Sequence, residues 1–301
     1  MKLFDPQKPF YKGNLHTHTT NSDGRMSPED VIERYQAAGY DFLALTDHWK
    51  ISIESPRFYK NMLLLQGIEL DYNLVNEVIH VVGINVSPDL LTRVDRRQTA
   101  RRGIREIVRA GGRAILAHPA WSLNTLETMQ ELTDLTAVEI YNSVSALPWN
   151  GDRADSMLLL DIAGAHGLLL NTVASDDSHF YTGEDRTSFT MLQADELSAE
   201  GIGKALDAGT FYASRGPRFR QIEIENGMIH VECDPVQKIV FHSDLPYVRN
   251  RCVQGENLTE ATYEINFDRL ERFVRVILID EQGRRAWANP IDVARLQQAN
   301  P

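Results

Sequence analysis

Between residues 41 and 174 the chain gathers its apolar residues into short runs of five to seven, and this rhythm constrains the fold more than any other feature. The runs are 41–46 (DFLALT), 62–68 (MLLLQGI), 78–84 (VIHVVGI), 113–117 (RAILA), 136–141 (TAVEIY) and 168–174 (LLLNTVA). Continuous apolar runs of this length suit strands covered on both faces, as in parallel sheets. Helix-forming segments lie between several of them. Ser27-Pro28-Glu29-Asp30 reads as a capping residue, a proline in the first turn and acids at the positive end of the helix dipole, with Gly39 at the far end. Segment 93–110 ends at Gly111-Gly112, and 152–166 ends at Gly167, in the same manner. The alternation predicts a parallel α/β domain, open or barrel-shaped.

After Gly209 the pattern changes. Segments 221–224, 228–233, 238–242, 262–267 and 273–279 read as short strands, with turn signals at Glu225-Asn226-Gly227 and Glu281-Gln282-Gly283. A length of 301 residues also favours two units over one. The expected organisation is the α/β domain over residues 1–215 and a small, mostly antiparallel β domain over 216–301.

Composition excludes several alternatives. Hydrophobic residues at 43% and charged residues at 24% are ordinary for a globular protein. No apolar run approaches the ~20 residues of a membrane span, and the start MKLFDPQKPFYKGN has no apolar leader core. Two cysteines, Cys233 and Cys252, make no disulfide framework and fit a reduced, cytoplasmic setting. A net charge of −11 makes a poor general binder of nucleic acid and a plausible cage for cations. The arginine cluster Arg93, Arg96, Arg97, Arg101, Arg102, Arg105 and Arg109 runs against that balance; it reads as the solvated face of an outer helix, with RNA binding as the alternative.

The chemistry-bearing residues collect at the ends of the apolar runs. His16 and His18 are spaced i, i+2, which points both to one face of a strand. Asp23 follows in a Ser-Asp-Gly turn. DFLALT ends in Asp47-His48, MLLLQGI in Glu69, RAILA in His118, and LLLNTVAS leads to Asp177-Ser178-His179; His80 lies inside VIHVVGI. Carboxyl ends of strands are where α/β folds place their sites. Six histidines and three carboxylates (His16, His18, Asp23, His48, Glu69, His80, His118, Asp177, His179) exceed the needs of one ion. The mixed donor set suits two or three divalent transition metals, Zn, Mn or Fe, better than calcium or magnesium.

GNLHTHTTNSDG, TDHW, GIEL, AHP and SDDSH, in this order, resemble the PHP (polymerase and histidinol phosphatase) family of metal-dependent hydrolases over roughly residues 12–210. The resemblance implies a distorted (β/α)7 barrel with up to three metals. It places His16, His18, Glu69 and Asp177 on the first, Glu69 with His80 and His118 on the second, and Asp23, His48 and His179 on the third. Trp49-Lys50 after TDH departs from the small or polar residues commoner there. FYASRGP (211–217) and AWANP (286–290) look like the carbaryl-hydrolase-like (CehA/McbA) branch.

The function this implies is a phosphoesterase on a small phosphorylated metabolite or nucleotide, acting through a metal-bound hydroxide. Asp23 and His179 are candidates for passing protons, and Asp47 and Asp176 for orienting ligand imidazoles. A phosphate also calls for a guanidinium fork. Arg215 is the first candidate, followed by Arg153 and Arg186, with Asn142 as a further substrate contact. Hydrolysis of a carboxylic or carbamic ester or amide is the alternative. The expected partner is a small molecule, with no membrane.

Overall fold

The structure is a computed structural model that describes residues 1–299. In chain order it contains β1 (Lys2–Phe4), β2 (Phe10–Asn14), α1 (Pro28–Ala37), β3 (Phe42–Leu45), β4 (Arg57–Tyr59), β5 (Met62–Asn73) and β6 (Val78–Ile84). Next come α2 (Ala100–Arg109), β7 (Arg113–Leu116), α3 (Leu126–Glu131), β8 (Leu135–Asn142), α4 (Met157–Ala165), β9 (Thr172–Ser175), β10 (Phe189–Gln193), α5 (Ala199–Ala208) and β11 (Phe211–Ser214). The rest of the chain forms β12 (Phe219–Glu225), β13 (Met228–Ser243), β14 (Cys252–Glu264), β15 (Phe273–Ile279), β16 (Arg285–Ala288), β17 (Ile291–Asp292) and α6 (Val293–Ala299). No helix among the described residues is long and apolar enough to cross a membrane.

The mixed α/β class holds. Strands β2, β3 and β5 pair in parallel, as do β7, β8 and β9. Between these sets, β5, β6 and β7 pair antiparallel, against the all-parallel expectation. The reason is connection length: residues 74–77 are enough for a hairpin between β5 and β6 and far too few for a parallel crossover. The sheet does not close into a ring of ladders. β9 and β2 meet only where the chain runs on past each strand, through the bridge Thr17–Ser178, with His18 N donating to Ser178 O at 3.0 Å and Asp177 N to His16 O at 2.9 Å.

This topology gathers one rim. The carboxyl ends of β2, β3, β5, β7 and β9 point the same way, and because β6 runs against β5 and β7, its amino-terminal third lies at that rim too. His80 sits there, opposite Asp71. β10 is antiparallel to β2 and β11 to β10, so Arg215, just past β11, also leaves the sheet on this side.

After Pro217 the strands are antiparallel and belong to the same continuous sheet. β12 pairs with β13 and with β1, β13 with β14 and β15, and β15 with β16, which lies against β11. One apolar core runs from Phe4, Tyr35 and Leu43 through Tyr212 to Phe241, Val276 and Val293. Segments 228–233 and 238–242 form one strand, β13, and not two. Pro235 falls where the β13–β14 register shifts, a position that tolerates a missing N–H. Asn226 and Gly227 both have positive φ (51° and 78°), as the tight hairpin between β12 and β13 requires.

Helix starts follow side-chain caps. Ser27 accepts from Asp30 N and opens α1. Thr99 accepts from Arg102 N, so α2 begins at residue 100 and not 93; Asp95 turns its carboxylate back onto Arg97 N and holds the preceding segment out of the helix. α4 likewise starts at Met157 and not 152, because Asp152 has φ +52° and the Asp155 carboxylate takes the Met157 N–H.

Candidate metal centre

The rim brings all nine candidate ligands together in three overlapping groups, within each of which one ligand atom per residue lies within 4.8 Å of the others: His16, His18, Glu69 and Asp177; Glu69, His80 and His118; His18, Asp23, His48 and His179. In the first, Nε2 of His16 and Nε2 of His18 are 3.2 Å apart. Each lies 3.0–3.2 Å from Glu69 Oε2 and 3.1 Å from Asp177 Oδ1. Glu69 Oε1 faces the second group, 2.9 Å from His80 Nδ1 and 3.6 Å from His118 Nε2. In the third, Asp23 Oδ2 lies 3.4 Å from His179 Nε2 and 3.7 Å from His48 Nε2, and Asp23 Oδ1 lies 3.4 Å from His18 Nδ1. The geometry therefore adds His18 to the third group.

A buried cluster of imidazole and carboxylate lone pairs aimed at common points needs positive charge. Burial works against the charge on His16, yet Asp177, Glu69 and Glu139 hold its imidazole well above the usual range. Burial likewise opposes the charge on His48 and His179, but the carboxylates, Glu69 first for one and Asp177 first for the other, push both up to about 9. Burial would raise Glu69, and the facing histidines hold it well below the usual carboxylate range instead. Asp177 Oδ1 and His48 Nδ1 are buried and have no hydrogen-bond partner. An orphaned acceptor, paired carboxylates and converging imidazole nitrogens fit divalent transition metals.

Three of the imidazoles are aimed by their second nitrogens. His16 Nδ1 donates to Glu139 Oε1 at 2.9 Å, His118 Nδ1 is 2.8 Å from Ser122 Oγ, and His179 Nδ1 donates to Asp177 O at 2.8 Å. His48 Nδ1 lies 3.4 Å from Asp71 Oδ1, which also accepts from Trp49 Nε1 at 2.5 Å. Neither Glu139 nor Asp71 was singled out from the sequence. Signals existed: Glu139 is the one charge inside TAVEIY, and Asp71 shares a strand face with Glu69. Asp47 and Asp176 do not orient imidazoles. Asp47 accepts from Thr19 N, Ser22 Oγ and Ser52 Oγ, and Asp176 from Arg186 N, Thr187 N, Ser188 N and Tyr35 Oη, so both anchor loops. Backbone strain falls on the same positions: His118 and Asp177 have φ of +30° and +52°.

A cavity of about 220 Å³ opens over the cluster, lined by Asp23, His48, Glu69, His80, His118, Asp177 and His179 and walled by Trp121, Val144, Ser145, Trp149, Asn150 and Phe180. None of the expected substrate residues lines it. Arg215 lays its guanidinium on the Tyr141 ring, 4.3 Å from the centroid. Arg186 pairs with Asp185 at 2.5 Å. Arg153 is exposed, and its backbone N–H donates to Ser145 O. Asn142 is buried and donates to Glu139 Oε2 at 2.8 Å and Asp177 Oδ2 at 3.1 Å, a support beneath the ligands. Sequence reasoning missed an arginine beside the cavity's lining residues: Arg25 donates its backbone N–H to His179 O at 2.8 Å and rests on Phe180, 4.7 Å from the ring centroid. Of the arginine cluster, Arg93, Arg96 and Arg109 pair with Asp89, Asp71 and Glu106, while Arg97, Arg101, Arg102 and Arg105 face solvent or nearly so.

Residues 14–133 match the PHP domain. A 5′-3′ exoribonuclease of Haemophilus influenzae is 37% identical over 78 residues, 25% of this chain and 28% of the relative. A 3′,5′-nucleoside bisphosphate phosphatase of Chromobacterium violaceum is 30% identical over 79 residues, again 25% of this chain and 28% of the relative. The chain thus spans under a third of the length of either. A crystal structure from Bacteroides vulgatus, described as a two-domain protein containing a predicted PHP-like metal-dependent phosphoesterase, superimposes with a TM-score of 0.56 at 15% identity over 96% of each chain, a likeness of fold.

Proposed function

We propose that this protein is a metal-dependent phosphoesterase acting on a small phosphorylated molecule. The observation that carries the reading is the sharing of Glu69 between two ligand groups, its two oxygens 2.9–3.2 Å from His80 on one side and His16 and His18 on the other. The PHP match over residues 14–133 supports it. The ligand residues would hold divalent ions, which when bound would supply a water of lowered pKa and polarisation of the attacked oxygen. The chain's own part is to fix that geometry. Glu139, Ser122 and the Asp177 carbonyl set which nitrogen of His16, His118 and His179 faces inward. Asp23, half-exposed between His48 and His179, and His179 itself remain the candidates for passing protons between the site and solvent.

Elemental analysis of protein purified without chelator is expected to give two to three equivalents of Zn, Mn or Fe. Glu69→Gln is expected to loosen two of them and cut phosphoester turnover about 10²-fold or more, taking losses from perturbed ligand shells as a floor. Activity that survives complete chelation would end this reading.

A carboxylic or carbamic ester is the second reading, favoured by the absence of any lysine or arginine from the residues lining the cavity. The segments that suggest the carbaryl-hydrolase-like branch support it, since they lie side by side in the sheet: Tyr212 opposes Ala288, Ala213 opposes Trp287 and Ser214 opposes Ala286. For the division of the chain we keep residues 1–215 as the metallohydrolase part, a distorted barrel in kind, because every cavity-lining residue precedes that boundary. Two free cysteines, one buried and one exposed, support a reducing compartment.

A further inference from the structure

The metal ligands account for one half of the cavity and leave the other half unexplained. Three aromatic side chains, with Val144, Ser145 and Asn150 between them in the lining, form that half. Trp121 sets its indole edge-on to His118 (5.0 Å, 81°) and His80 (6.1 Å, 61°), beside the second ligand group. Phe180 stacks on His179 (5.9 Å, 28°), beside the third, and meets Trp149 edge-on at 4.7 Å and 88°. One short segment builds both walls. Residues 148–150 form a single turn that carries Trp149, and Asn150 accepts from Trp121 Nε1 at 2.9 Å while donating to Val144 O at 3.1 Å. Trp149 is 65% exposed although it belongs to this group. One exposed indole needs no explanation. Three aromatic rings around the mouth of a metal cluster, tied to one another and to the ligands, do.

We propose that these rings form a subsite for a flat aromatic group, so that the substrate is a phosphoester whose alcohol portion carries an aromatic ring. This rests on the phosphoesterase reading for the head group alone. The ligand cluster, with its ions bound, would take the anionic head, and the ring would lie against Trp149 and Phe180 with Trp121 across the cavity. Aromatic faces and edges have complementary quadrupoles, so a planar ring gains more there than a saturated one of equal size. A polyhydroxyl group would desolvate against the three rings with only Ser145 and the already engaged Asn150 amide on these walls to bond it. The ring can be a nucleobase, one sugar removed from phosphorus, or an aryl group bonded next to it; the shared chemistry is the flat π-face.

The test is equilibrium binding of unreactive phosphonates to the metal-loaded protein by calorimetry. Methylphosphonate reports the head-group site alone, and phenylphosphonate against cyclohexylphosphonate reports planarity at equal charge. A nucleoside 5′-phosphonate separates the two ring sources. Phenylphosphonate or the nucleoside phosphonate is expected to bind about three- to tenfold more tightly than the cyclohexyl compound, the span that aromatic pairing gives. Trp149→Ala, at an exposed position the fold does not lean on, is expected to erase most of that preference and leave methylphosphonate affinity within twofold. Equal binding of flat and saturated rings, or a preference that persists in Trp149→Ala and Phe180→Leu, would overturn the subsite. If methylphosphonate does not bind at all, the phosphoester reading fails instead. The subsite is then judged on phenol against cyclohexanol, where a preference lost in Trp149→Ala upholds it and equal binding overturns it.

Discussion

Glu139 offers a sharp test of how the centre is held together. Its carboxylate is 1% exposed and fully used: Oε1 takes the His16 Nδ1 proton at 2.9 Å, and Oε2 takes the backbone N–H of His118 and the amide of Asn142, both at 2.8 Å. Glu139→Gln keeps size and removes one acceptor end. If the new amide turns its oxygen to His16, its NH₂ group faces two donors, and burying such unpaired groups costs about 1–3 kcal/mol each. If it turns the other way, His16 Nδ1 must accept, and the proton moves to Nε2, where it points into the ligand cluster. Either arrangement weakens the first ligand group. Orienting contacts of this kind are worth about 10–100-fold in metal affinity, or about 1.4–2.7 kcal/mol. The assay is competition for Zn or Mn against a chromophoric chelator, with circular dichroism to confirm the fold. A dissociation constant within threefold of wild type, in folded protein, would show that Glu139 does not set the His16 tautomer.

Other predictions are more local. Gly24→Ala places a Cβ 2.6 Å from the His18 carbonyl and should shift the turn bearing Asp23; elemental analysis is expected to show metal lost from the third group and thermal melting a lower midpoint. Arg25→Ala is expected to raise KM for a phosphoester about three- to tenfold with a smaller change in kcat, whereas Arg215→Lys should stay within twofold because that guanidinium covers Tyr141; an unchanged KM in Arg25→Ala would favour a neutral ester. A thiol reagent should label exposed Cys252 and spare Cys233, which is buried with its thiol pushed up to about 12 by desolvation, and labelling of both in native protein would refute that packing.

Much of this was legible in the sequence where local signals were strong. Val78–Ile84 and Phe273–Ile279 emerge with the bounds their apolar runs suggest, and the Ser27 cap opens α1 as its sequence implies. Most of the nine candidate ligands were visible because a polar residue interrupts or ends an apolar run there; Glu69 and His80 fall inside β5 and β6, and Asp23 sits in the turn after the His16-His18 pair. Two features failed for want of pattern. β14 is largely exposed and mixes charges with small residues, so no alternation marks it. β13 carries a proline that reads as a break until the register shift is seen. The substrate arginines failed for another reason. Chain direction does return Arg215 to the rim, but which neighbour a long side chain rests on is decided by tertiary packing, and here Tyr141 was the nearer partner. The aromatic wall was invisible for the same cause: Trp121, Trp149 and Phe180 are far apart in sequence and share no motif.

The way the last strands enter the sheet bears on how the protein is made. Every converging ligand lies between residues 16 and 179, so a nascent chain has exposed the whole set well before synthesis ends. Yet β1 waits for Glu223 and Ile222 as partners, and β11 is not flanked on its second side until β16 arrives at residues 285–288. Pairings this distant in sequence form slowly. A ribosome-bound chain, or one cut after residue 215, would thus hold a full complement of ligands in a sheet with an unpaired edge, the arrangement that invites pairing with another chain. Competence to hold metal is expected to arrive late in biosynthesis, with the closing strands and not with the ligands themselves.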